Sequence, residues 1–275
     1  MVRKSWLDNG FGANTENRGA DTFIAIGWDQ AIDLVVAELS RVQKCFGNEA
    51  IFGGSYGWSS AGRFHHAKTQ LKRFLNIFGG FTDQVYSYSN AAGHAILPRV
   101  IGQGGYGPFS SWDGIAQHCE LFVAFGGVGL KNTQVEPGGA GEHATHKWLP
   151  MLRKNGVRFV SVAPCQNDTA DYLNAEWWPA RPNSDVAIML GLAHTLVENR
   201  LHNRAFLNKY CVGFDKFSSY LMGHKDNVPK TAEWAAKISE IPAQKIRALA
   251  IEMAKKNTTL GCAYALQRTD HGEQA

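Results

Sequence analysis

Apolar residues recur at helical spacing in Trp28–Val42, WDQAIDLVVAELSRV, where Ile32, Val35, Val36, Leu39 and Val42 share one face. This predicts an amphipathic helix with that face against a core. The short run Ala50–Gly54 reads as a strand, and Ala67–Phe78 as a second helix stopped by Gly79 and Gly80. NAAGHAILPRVIG should begin as a helix that Pro98 kinks or ends. Continuous apolar runs then take over. Leu121–Gly127 (LFVAFGG) and Val157–Pro164 (VRFVSVAP) read as buried strands, with GEHATHKWLPMLRKNG between them helical despite Pro150. EWWPARPNSDVAIMLGLAHTLVENRL combines an edge strand, a proline-bounded turn and a long helix capped near Ser184. Helices around Phe206 and over Ala243–Lys256 lead to a last strand, TLGCAYAL.

Alternating strands and helices predict a layered α/β fold, with a Rossmann-like parallel sheet in the second half. The division suggested is 1–127, part of one α/β domain, and 128–275, the first part of another. The last strand is expected inside its sheet. A parallel strand with no crossover after it leaves a face uncovered, so the chain is expected to be a truncated fragment of a larger multi-domain protein, with exposed apolar surface and poor solubility.

Composition narrows the function. The 275 residues are 44% hydrophobic and 19% charged, as in a globular domain with ample core material. The net charge of +4 is scattered, without the basic stripe of a nucleic-acid binder. Cys45, Cys119, Cys165, Cys211 and Cys262 are odd in number and never form a C-x-x-C pair. That argues against a disulfide framework, a zinc ribbon or an iron–sulfur cluster in this segment, and favours a reducing compartment. No apolar run is long enough to span a bilayer, and the first residues lack the apolar core of a secretory signal. The cytoplasm is the expected location, with the periplasm as the alternative.

Several stretches carry candidate chemistry. GGSYGWSSAGRFHH, Gly53–His66, joins glycines, hydroxyls, aromatic rings and basic groups without a hydrophobic period. Gly126, Gly127 and Gly129 follow a buried strand and could bring backbone N–H groups to a phosphate, or simply make a turn. GGVGLKN lacks the G-x-G-x-x-G spacing, and no acid ends the second strand, which disfavours an ordinary dinucleotide dehydrogenase. Asp185 is either a first-turn acid favoured by the helix dipole or a carboxylate for a guanine edge. His143 and His146 share a helix face without a third ligand nearby, so surface histidines are the plainer reading. His65 and His66 could meet an anion or start the next helix.

At IFGGSYGWSSAGRFHHAKTQLKRFLNIFGG, followed by YSYSNAAGHAILPRVIG, the chain resembles the molybdopterin-dependent S- and N-oxide reductases. That family includes the dimethyl sulfoxide, trimethylamine N-oxide and biotin sulfoxide reductases. The likeness runs from MVRKSW to QRTDHGEQ. It implies oxygen-atom transfer from a small S- or N-oxide to a bis(molybdopterin guanine dinucleotide)molybdenum centre, with electrons from an external donor. It also implies a molybdenum and substrate-funnel domain within 1–127 and a Rossmann-like cofactor-binding domain beginning at 128. Tyr56 and Trp58 would hydrogen-bond the transferred oxygen, and Ser59 would lie along the pterin. Ser89 would be the metal ligand, in preference to Ser87, since a hydroxyl is a hard donor once a metal removes its proton. Lys131 and Asn132 would contact the cofactor, and Val162 and Ala163 would end a strand beside its ribose. Asn183, Ser184 and Asp185 would form the turn that reads guanine. Ala163 stands where members often carry Asn or Asp, which removes one side-chain hydrogen bond. Two other readings stand beside this one: a guanine-nucleotide-binding α/β module without redox chemistry, and an inactive fragment.

Overall fold

A computed structural model describes residues 1–12, 15–55, 64–86, 89–102, 109–130, 144–270 and 272. They form two compact units, one running from Met1 to Val85 and the other from Tyr86 to Gly272.

The first unit opens with strand β1 (Val2–Arg3) and helix α1 (Lys4–Asn9), and β1 pairs antiparallel with β2 (Phe23–Ile24). Helix α2 (Trp28–Phe46) carries the predicted period, but its apolar stripe is not covered by described residues. Trp28 is 84% exposed, and Ile32, Val35 and Val36 are each more than half exposed. Ala50–Gly54 is not a strand. Its Phe52 makes a single parallel bridge to Thr82, because Asn48–Ala50 turns as a 3-10 helix immediately before it. Helix α3 (Ala67–Ile77) ends as expected at Gly79 and Gly80, whose φ values of 120° and 106° suit glycine.

The second unit begins with α4 (Ala91–Val100), which runs two residues past Pro98, and α5 (Trp112–His118), whose N-cap Ser111 accepts from the Gly114 N–H. A sheet follows, built from β3 (Leu121–Phe125), β4 (Arg158–Val162), β5 (Glu176–Trp178) and β6 (Thr258–Cys262). The strand order is β5-β4-β3-β6 and every pairing is parallel. Between β3 and β4 lies α6 (Ala144–Lys154), with Pro150 inside it. Five helices separate β5 from β6: α7 (Asp185–Glu198), α8 (Arg204–Tyr210), α9 (Phe214–Leu221), α10 (Ala232–Ser239) and α11 (Ala243–Met253).

Strands buried on both faces need helices on both. Leu121, Val123, Phe125, Val160 and Val162 face α7, α10 and α11. Phe122, Ala124 and Phe159 face α5 and α6. Gly191 lets α7 and α10 approach closely, since a Cβ there would lie 2.8 Å from the Ala235 Cβ. β6 departs from expectation by lying at the edge of the described sheet, with Leu260 exposed. The sequence shows a strand but not its neighbours.

Candidate cofactor site

The chain passes from β3 outward to β4 and β5, then returns to the other side of β3 as β6. The reversal makes the carboxyl ends of β3 and β6 a topological switch point, the place where open α/β sheets take their ligands. Gly126 and Gly127 sit there with φ of 91° and 81°. A Cβ on Gly126 would approach the Ala263 Cβ to 2.6 Å, and one on Gly127 would reach the Asp168 carbonyl oxygen at 2.4 Å. Glycine is therefore required twice in succession, and the turn carries bare backbone. It is fastened from below: the Val128 N–H donates to the Thr169 hydroxyl oxygen (3.1 Å), which also meets the Ser161 hydroxyl (2.7 Å).

At the end of β4, Val162 and Ala163 are fully buried, and the Ala163 carbonyl accepts from the Trp177 indole at 2.8 Å. Across the same edge of the sheet, Asn183 takes a left-handed φ of 66° and Ser184 occupies the N-cap of α7. Ser184 does not cap through its side chain as the sequence suggests. Its buried hydroxyl donates to the Arg181 carbonyl at 2.6 Å instead.

Asp185 heads α7, half-buried. Burial pushes its carboxyl above the usual aspartate range, and its own backbone N–H works the other way. The neighbouring Cys262 thiol is pushed up by burial, and further by the Asp185 charge. For Asp185 the folded pKa exceeds the unfolded one, so the folded state binds the extra proton between the two values. Stability is then fullest below the ordinary aspartate pKa and falls as pH rises through the folded value. Asp185→Asn should melt higher than the parent at neutral pH and match it in acid. Thermal melts across pH 3–7 on the cofactor-free chain check this, and a neutral-pH melt no higher than the parent's would contradict it.

After β6 the chain runs as a strap over this edge. The Thr269 hydroxyl donates to the Asn183 side-chain oxygen (2.7 Å), and the Asn183 amide donates to the Asp270 carbonyl (2.9 Å). Two residues earlier, the Gln267 amide and the Arg268 Nε (2.7 Å) both donate to the Ser89 carbonyl. The turn that Ser89 occupies is also flanked by Tyr86 and His94, whose rings stack at 5.3 Å. The structure thus gathers Ser89, Asn183, Ser184 and Asp185 around one strap. Tyr56, Trp58, Ser59, Ser87, Lys131, Asn132 and His143 lie outside the described residues. His66 contacts Thr69 on its own helix. The strap residues Gln267, Arg268 and Thr269 were not singled out in the sequence. Their only signal is a polar run directly after an apolar strand.

The description "molybdopterin oxidoreductase" matches residues 1–270. Over its whole length the chain is 44% identical to biotin sulfoxide reductase of Cereibacter sphaeroides, covering 37% of that protein. It is 40% identical to the dimethyl sulfoxide/trimethylamine N-oxide reductase of Rhodobacter capsulatus, covering 33% of it. It is likewise 40% identical to the trimethylamine-N-oxide reductase of Haemophilus influenzae, again covering 33%. The chain therefore spans about a third of the length of these curated relatives. Among solved structures, acetylene hydratase from Pelobacter acetylenicus shares the fold, with a TM-score of 0.58 at 20% identity over 88% of this chain and 30% of that one. A parallel sheet with a switch point beside two obligatory glycines, joined to a family match over residues 1–270, leads to one conclusion: the chain belongs to the molybdopterin oxidoreductase family.

Proposed function

We propose that the protein carrying this chain reduces S-oxides or N-oxides, using a bis(molybdopterin guanine dinucleotide)molybdenum centre and an external electron donor. In the net change a sulfoxide takes up two electrons and two protons, the sulfur–oxygen bond breaks, and the sulfide and one water are released. The observation that carries the reading is the strap, which ties the Ser89 turn to the Asn183–Asp185 turn. Relatives named for biotin sulfoxide, dimethyl sulfoxide and trimethylamine N-oxide support the substrate class.

The residues present fit such a cofactor. Ser89 offers a hard oxygen donor on a turn anchored through its own carbonyl. Gly126 and Gly127 hold the chain at the end of β3 close against Ala263 and Asp168 in a left-handed turn that no other residue fits, next to the switch point of the sheet. Asp185 is a part-buried carboxylate whose pKa burial raises, a shift often found where ligands bind. When bound, the molybdenum supplies a two-electron site that can accept an oxygen atom.

In this reading Ser89 holds the metal. Tyr56 donates to the substrate oxide oxygen, a contribution of ~2–4 kcal/mol by analogy with removal of one oxyanion donor. Trp58 adds an indole N–H, and Ser59 lies along the pterin. Lys131 and Asn132 contact the cofactor beyond the glycine turn, with Val162 and Ala163 at the strand end beside a ribose. Asn183, Ser184 and Asp185 take the guanine, whose paired N–H donors would compensate the buried Asp185 charge.

Metal and nucleotide analysis of the purified protein tests this. Molybdenum and guanine nucleotide should co-purify in the ratio set by two pterin nucleotides on a single metal. Guanine nucleotide without molybdenum would instead support a nucleotide-binding module, and neither component an inactive fragment.

A further inference from the structure

The Ser89 turn has a second peculiarity. Asn90 is the N-cap of α4, yet it makes no side-chain cap hydrogen bond. The first N–H groups of a helix have no partner within it and must find one elsewhere. Gly93, in that first turn, donates its N–H to the Gln267 side-chain oxygen at 2.7 Å. The nitrogen of the same amide donates to the Ser89 carbonyl. The amide accepts from one backbone group through its oxygen and donates to the other through its nitrogen, and these two partners settle which way it points. Gln267 is thus a helix cap supplied from far along the chain. It grips the turn on both sides of Asn90, while Arg268 reinforces the Ser89 end.

We propose that Gln267 is a positioning residue that sets the direction of the Ser89 side chain toward the metal, by bridging the Ser89 carbonyl and the Gly93 N–H. This rests on the reading of Ser89 as metal ligand. Metal ligands are commonly oriented by partners one step removed, and removing such a partner costs affinity or activity. Gln267 acts through the backbone, which leaves the Ser89 hydroxyl free for the metal.

The test uses the molybdenum-loaded protein and two readouts besides activity. Hydrogen exchange follows the Gly93 amide, and X-ray absorption at molybdenum follows the single oxygen shell from a serine. Gln267→Ala should speed Gly93 exchange about five- to tenfold, as loss of a helix cap does, and should weaken or broaden the oxygen shell. Gln267→Glu keeps the acceptor but sets a carboxylate against the Ser89 carbonyl. It should restore Gly93 protection and still disturb the shell, which separates positioning from simple capping and does not depend on Gln267→Ala folding well. Ser89→Ala, run alongside, should lose the shell entirely. An oxygen shell unaltered in both Gln267 variants, but lost in Ser89→Ala, overturns the inference and leaves the ligand reading intact. A shell unaltered in Ser89→Ala removes the ligand reading and the inference with it.

Discussion

Ser89→Ala is expected to cut S-oxide and N-oxide reduction by the loaded protein more than ~100-fold, beyond the usual cost of removing a group one step further from a metal. The substitution is informative because of what it leaves alone. The strap grips Ser89 through its carbonyl, which alanine retains, so Gln267 and Arg268 keep their acceptor. The fold should survive, with a melting temperature within about 2 °C of the parent, as expected for a half-buried side chain outside the core. Steady-state reduction of dimethyl sulfoxide or trimethylamine N-oxide, with a melt of the same sample, separates lost chemistry from lost structure. Activity equal to the parent's would remove Ser89 from the metal and direct attention to Ser87.

Gly127→Ala should act on the fold itself. The new Cβ would sit 2.4 Å from the Asp168 carbonyl oxygen at a backbone φ of 81°. Left-handed backbone costs a non-glycine residue roughly 1 kcal/mol. Overpacking against a group that cannot swing away adds roughly 1–3 kcal/mol. Asp168 is such a group, because its N–H is held by the Cys165 carbonyl in a 3-10 turn. A total of ~2–4 kcal/mol corresponds to a drop in melting temperature of roughly 5–15 °C for a domain of this size. Gly156→Ala is the control: its φ is 82°, but a Cβ there meets nothing within 4 Å. It should show the backbone cost alone. Equal melting of the two variants would mean that the turn after β3 yields to the added Cβ, and that its close packing against Asp168 is not rigid.

The sequence revealed the elements long enough to show a period or an unbroken apolar run. These include α2, α3, α6, α7 and α11, and the strands β3 and β4. It missed α1, α5, α9 and α10, which span only 6–8 residues each and complete too few turns to display a face. One trace of α10 was available, since Thr231 caps it by accepting from the Trp234 N–H. Strand order was not legible, because local composition does not say which neighbour a strand takes. That is why β6 was expected inside the sheet and lies at the edge of the described strands. At the site, a family resemblance pointed to Ser89 and Asn183, but the residues that bring them together did not stand out. Gln267 and Thr269 act through single hydrogen bonds to positions remote in sequence, and such bonds leave no periodic signature.

The pairing of β3 with β6 bears on how the chain reaches its native state. Leu121 takes its partner at Thr258, so one flank of the most buried strand waits for a stretch synthesised much later. Contacts so distant carry a large loop-closure cost before they give any return, and they slow folding. While the ribosome is still translating α7 to α11, β3 can hold β4 on one side only. During that interval the edge that β6 later takes is unpaired by β6, and open strand edges of this kind invite mispairing.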